Sequence, residues 1–156
     1  MKLIIALLMA STLVLGCGGE ITPDQAAMIS FGSSYAAAYA LTSTGSLDIE
    51  TSEKVLLMVQ SVSAGVDSFE EGEDVQAFVF RECFDYINKS PEVGESSKIL
   101  VDSAYWLGSV IKLSIEAFPQ YADKGDDWIR ILKRALAGVE RGLVDALAKT
   151  KNPQTL

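Results

Sequence analysis

Residues 95–118 read ESSKILVDSAYWLGSVIKLSIEAF, and the order of polar and apolar positions in this stretch decides the fold. Lys98, Asp102, Tyr105, Ser109, Lys112 and Glu116 step by four, three, four, three and four, which stacks them in one narrow stripe along a helix. Between Lys98 and Glu116 the only other polar side chains are Ser103 and Ser114. A helix with so little polar circumference needs neighbours on several sides, so the pattern predicts a central helix over about residues 95–118. The pairs Lys98/Asp102 and Lys112/Glu116 fall at i,i+4 on the stripe, and Pro119 ends the run.

The flanking segments supply those neighbours. Downstream, Gly125-Asp126-Asp127 offers a turn, a cap and first-turn negative charge. Ile131, Leu132, Ala135, Leu136, Val139, Leu143, Ala146 and Leu147 then recur at helical spacing, with Trp128 at their head, until Asn152-Pro153 begins a frayed tail over 151–156. Upstream, Val75, Phe78, Val79, Phe84 and Ile87 mark a helix that stops before Pro91. Val55, Met58, Val59, Val62, Val66 and Phe69 mark another from Asp48. The first helix starts at Thr22-Pro23-Asp24-Gln25, where Thr is an N-cap, Pro fits the first helical position and Gln fits the capping box; it runs to about Leu41. No window alternates with the period of two that a half-buried strand requires. The expectation is an all-α fold, a compact antiparallel bundle of about five helices forming one domain over 22–150.

The chain opens with Met1 and Lys2 and continues with an apolar run from Leu3 to Leu15, broken only by Ser11 and Thr12. A run of about 13 residues falls short of the ~20 needed to span a bilayer, so it reads as a cleaved leader. It ends in Val14-Leu15-Gly16-Cys17, which resembles the lipobox of bacterial lipoproteins. The resemblance is confined to the leader and Cys17. It implies that residues 1–16 are removed, that Cys17 carries a diacylglycerol and often an N-acyl chain, and that those chains hold the protein to a membrane. Each buried methylene contributes roughly 0.8 kcal/mol, so two or three chains make the anchorage durable. Residues 17–21 then form a short tether reaching about 10 to 15 Å. Gly18 is not the Asp of the inner-membrane retention signal, so the resemblance implies the periplasmic face of the outer membrane in a Gram-negative host and the cell-membrane surface otherwise.

Loss of sixteen residues from 156 leaves 140, and loss of Lys2 takes the formal net charge from −8 to −9. Such a surface repels phosphate backbones, which argues against nucleic acid as a partner. With Cys17 acylated, Cys83 is the one remaining thiol and no internal disulfide can form.

The chain has no histidine, which removes His-based nucleophilic catalysis, His-ligated metals and a proximal haem ligand. Ser97-Lys98 are adjacent and point to different sides of a helix, so they do not form a Ser–Lys pair. Counted from Asp67, Gly72 matches the sixth place of a calcium loop, but Phe69 and Phe78 stand where carboxylates are required. A solvated acidic turn accounts for Glu70–Asp74. Cys83, near Phe80, Phe84 and Ile87, reads as a buried small hydrophobe. Two small-residue stripes, Gly32/Ala36/Ala40 and Gly138/Gly142/Ala146, permit close backbone approach, with the two helices packing on each other as the simplest use. Tyr35 and Tyr39 lie one above the other on the first helix, either capping the core or presenting an aromatic patch to a partner. An enzyme would need Asp102, Lys112 and Glu116 gathered in a cavity with other carboxylates.

The sequence therefore predicts no catalytic residue, cofactor or metal, and lipidation at Cys17. The leading expectation is a non-enzymatic binding or structural module at the cell envelope, anchored to the membrane through Cys17 and working with an envelope protein. Two alternatives stand beside it: a carrier or sensor of an apolar ligand in the bundle core, and a phage- or plasmid-encoded exclusion lipoprotein that blocks a receptor or injection machinery.

Overall fold

A computed structural model describes residues 20–69, 73–90, 97–121 and 125–152. The leader, Cys17 and most of the tether, the tip of the acidic turn at 70–72, and the end of the tail lie outside the described residues. The elements are α1 (Pro23–Ser43), α2 (Ile49–Gly65) with a 3-10 turn at Val66–Ser68, α3 (Val75–Lys89), α4 (Ser97–Glu116) with a 3-10 turn at Pro119–Tyr121, and α5 (Gly125–Lys151). Among the described residues there is no strand, and no helix is long and apolar enough to cross a membrane. The fold is the all-α bundle that the periodicity predicts.

The helix starts are set by local chemistry. Thr22 Oγ1 accepts from the Gln25 amide at 3.3 Å while Gln25 Oε1 accepts from the Thr22 amide at 2.9 Å, completing a reciprocal capping box with Pro23 at the first turn. Asp48 caps α2 through Thr51 N at 2.7 Å, and Asp74 caps α3 through Ala77 N at 2.9 Å. Gly45, at φ 72°, makes the left-handed step that lets the chain reverse after α1. On α5 the helix already includes Gly125, so Asp126 and Asp127 sit inside the first turn, where their charge complements the helix dipole.

Consecutive helices run antiparallel. Phe69 meets Phe78, Gly65 meets Glu82, and Phe80 and Phe84 meet Tyr105, which fixes α2 against α3 and α3 against α4. Five alternating helices leave the first and last pointing the same way, and these two form the closest pair in the molecule. Arg130 bonds Asp24 at 2.9 Å near both starts, Gly138 abuts Phe31, Gly142 abuts Tyr35, and Tyr35 bonds Asp145 further along.

Helix α4 is central: it touches all four of the other helices. Leu100, Ala104, Leu107, Ile111 and Ile115 on α4 interlock with Val55, Met58, Val59, Phe78, Ile131, Leu132 and Leu136 in one core. The sequence expectation for its circumference needs correction, because Ile99 is 43% and Leu113 62% exposed. Four neighbours do not close a ring around a helix, so one apolar edge of α4 is left beside its polar stripe. The stripe itself faces out as expected; Lys112 pairs with Glu116 at 3.7 Å, while no ion pair joins Lys98 to Asp102 among the described residues.

Ser103 and Ser114, the two polar interruptions of α4, are buried. Ser103 Oγ donates to the Ile99 carbonyl within its own helix. Ser114 reaches across instead. Its hydroxyl meets Ser34 Oγ at 2.9 Å and Ser33 Oγ at 3.2 Å, and its carbonyl accepts from Ser30 Oγ at 2.9 Å. This buried hydroxyl cluster ties α4 to α1 in a fixed register.

Candidate functional surfaces

The end of the bundle nearest the leader is built from the starts of α1 and α5 and the end of α4. Ile21 is half-buried against the core, and the Tyr121 hydroxyl donates to its carbonyl. The chain is thus fixed to the folded body four residues after Cys17. Arg130 to Asp24 and Lys133 to Asp67, the latter at 2.8 Å, lace the same end across three elements.

Along the α1–α5 seam, sequence reasoning found one of the two partners correctly. Gly138 and Gly142 are buried, and a Cβ at either would overlap backbone of α1, at the Phe31 and Tyr35 carbonyl oxygens. The stripe on α1 does not face them. Gly32 and Ala36 are exposed, and a Cβ on Gly32 would meet nothing within 4 Å. The buried positions of α1 are displaced around the helix from that stripe: Ala38 meets Gly142 of α5, while Ser30 and Ser34 meet Ser114 of α4.

Phe31, Tyr35 and Tyr39 form a stacked ladder beside this seam, with centroids 6.3 and 5.9 Å apart and planes within 18°. The ladder is engaged with α5. Tyr35 donates to Asp145 at 3.2 Å, and Lys149 Nζ lies 5.8 Å from the Tyr39 ring. Burial, then the Asp145 charge and hydrogen bond, push the Tyr35 phenol above its ordinary pKa.

Cys83 is buried and free, and desolvation, with a smaller contribution from the Glu82 charge, pushes its thiol up to about 12, which keeps it protonated and inert at neutral pH. Phe69 and Phe78 of the calcium-loop comparison meet edge to face at 5.2 Å in the core, while Asp67 and Glu73 are taken by Lys133 and Arg81. Gly72 and the Ser97 side chain lie outside the described residues; Lys98 is exposed. Asp102, Lys112 and Glu116 spread along one outer ridge of α4 spanning about 20 Å at 1.5 Å per residue. Among the described residues no group of three His, Cys, Asp or Glu side chains stands close enough to hold a metal ion.

Sequence reasoning missed the Ser30/Ser33/Ser34/Ser114 cluster and the Tyr121–Ile21 bond. Buried serines on an otherwise apolar α4 were the available signal for the first. The second joins positions 100 residues apart and left no local signature. No family model, curated protein or solved structure matches the chain.

Proposed function

We propose that the protein is a lipid-anchored, non-enzymatic binding module of the bacterial cell envelope, held through acyl chains on Cys17 and acting by engaging an envelope partner. The observation that carries this reading is the Tyr121–Ile21 hydrogen bond beside the Thr22 capping box. A folded body pinned this soon after the lipobox stays within a few residues' reach of an acylated Cys17, with the starts of α1 and α5 as its nearer end. The end formed by the starts of α1 and α5 then faces the bilayer at about 10 to 15 Å. The opposite end, where α1 and α5 finish and α2 begins, projects away by the length of α1, about 30 Å for its 21 residues.

A body held this close to the membrane suits a module that engages a partner in the same envelope layer. In a Gram-negative host the resemblance of the leader favours the periplasmic face of the outer membrane; in other hosts it favours the outer surface of the cell membrane. The test is Cys17→Ser. Wild type is expected to incorporate labelled palmitate and fractionate with membranes, and the variant to lose both. Retained palmitate and unchanged fractionation in the variant would remove the anchor and the reading with it. Crosslinking from the outward end in intact cells then identifies the partner.

A further inference from the structure

From Gln25 to Leu47 the chain carries no charged side chain, its longest charge-free run, although its formal net charge is −8. Most of that run is α1, and the face of α1 turned away from the bundle is open. Met28 is 63% exposed, Gly32 and Ala36 follow it at intervals of four and are exposed, and Ile29, Ser33 and Ala40 beside them are half-buried. The face continues onto α4. Ser33 Oγ meets Ser114 Oγ at 3.2 Å, and next to Ser114 stands Leu113, 62% exposed, with exposed Ala117 one turn on. An outward helix face ordinarily carries charge, and a contiguous uncharged surface with large apolar side chains on it marks a contact site.

Three features point to a second copy of the chain as the occupant. Two such acidic bodies repel each other, and this face lets them approach without opposing like charges. Its two flanks are complementary. Met28 lies on the α5 side, in line with Phe31 and Tyr35 at steps of three and four, while Leu113 lies on the α4 side. A two-fold axis along α1 sets the α4 side of each copy against the α5 side of the other, apolar on apolar, with exposed Gly32 and Ala36 between them. The same axis keeps the starts of both α1 helices at one end, as two Cys17 anchors in one bilayer require.

We propose that this face is a homodimer interface, closed between two copies of the chain anchored side by side in one membrane. The pairing rests on the anchored reading above and supplies a partner for it. With α1 about 30 Å long, the face covers on the order of 500 Å² per copy, too little to hold two bodies together in dilute solution. Confinement of both copies to one membrane surface raises their effective concentration and populates the pair.

The test is disulfide trapping of the full chain in intact cells, with copper–phenanthroline as oxidant. Cys83 is buried with its thiol pushed up to about 12, so it does not compete, and an acylated Cys17 has no free thiol. Trapping requires Cβ atoms about 4 Å apart, so it reports proximity. Gly32→Cys and Ala36→Cys are expected to give a covalent dimer at least about fivefold above Ala64→Cys and Ser109→Cys, exposed positions on α2 and on the polar stripe of α4. In the Ala36→Cys chain, Met28→Glu sets two carboxylates face to face and is expected to cut the trapped dimer roughly fivefold, whereas Ala64→Glu leaves it unchanged. Both added glutamates sit at exposed positions and should keep the Tm of the parent chain.

Palmitate labelling of the same samples reads the anchor separately. Labelled, membrane-bound chains that trap no better at Gly32 and Ala36 than at the control positions, that trap a different protein there instead, or whose yield ignores Met28→Glu overturn the pairing and leave the anchor in place. Unlabelled chains remove the anchor and the pairing together.

Discussion

The seam between α1 and α5 and the seam between α3 and α4 solve the same problem by opposite means. In the first, Gly138 and Gly142 bring one helix backbone against another, and the carbonyl oxygens of Phe31 and Tyr35 occupy the space a side chain would take. In the second, Phe80, Phe84 and Tyr105 pack ring edge to ring face, with centroids from 4.9 to 6.5 Å apart, and Gly108 leaves room for the end of the Phe80 ring. A ring can swing about its χ angles when it is crowded. A carbonyl held in a helix cannot move without moving the helix. The same residue type, glycine in a helix facing a neighbour, is therefore rigidly required in one seam and negotiable in the other.

The largest expected effect breaks the first seam. Gly138→Ala or Gly142→Ala should each destabilise the fold by about 3 kcal/mol, near the upper end of overpacking costs, because the added methyl meets backbone on α1. Chemical denaturation measures it. A loss under about 1 kcal/mol for both variants would mean that α1 can slide away from α5 and that the seam is no tighter than the aromatic one.

A smaller effect isolates what sets the register of α1. Ser114→Ala removes the hydroxyl that Ser34 and Ser33 share and leaves the Ser34 oxygen buried without that partner, while the bond from Ser30 to the Ser114 carbonyl survives. The expected cost is about 1 to 2 kcal/mol. The double variant with Ser34→Ala should cost less than the sum of the singles, because the second change removes the orphan that the first creates. Strict additivity would deny that the cluster acts as a unit.

These seams also mark where the sequence was legible. Caps and helix faces were, because each is decided within a turn or two. Thr22 with Gln25, Asp48, and the apolar faces of α2 and α5 all stand where local spacing puts them. The small-residue stripe on α5 was legible for the same reason, since Gly138 and Gly142 at i,i+4 have few other uses on an amphipathic helix. Gly32/Ala36/Ala40 carried an equal local signal and misled. The rotation of α1 about its axis is fixed by Ser30 and Ser34 turning toward Ser114, a contact more than 80 positions away that periodicity does not contain. Ile99 and Leu113 failed likewise: apolarity said that they prefer burial, but the number of neighbours around α4 belongs to the assembled bundle.

The smallest expected effects are also the sharpest test of the contrast, because they predict a sign. An alanine in a helix is favoured over glycine by about 1 kcal/mol when nothing else changes. At Gly32 nothing stands within 4 Å of the added methyl, so Gly32→Ala should stabilise the protein by close to that amount. At Gly108 the same gain is opposed by the Phe80 ring, which must tilt a few tenths of an ångström or more, so Gly108→Ala should come out near zero. The order Gly32, Gly108, then Gly138 and Gly142, from stabilising through neutral to strongly destabilising, follows from what each methyl meets: solvent, a movable ring, or a fixed carbonyl. Denaturant midpoints of the four variants at constant m-value read this order directly, and a Gly108→Ala variant as damaged as Gly138→Ala would show the aromatic seam to be as unyielding as the backbone one.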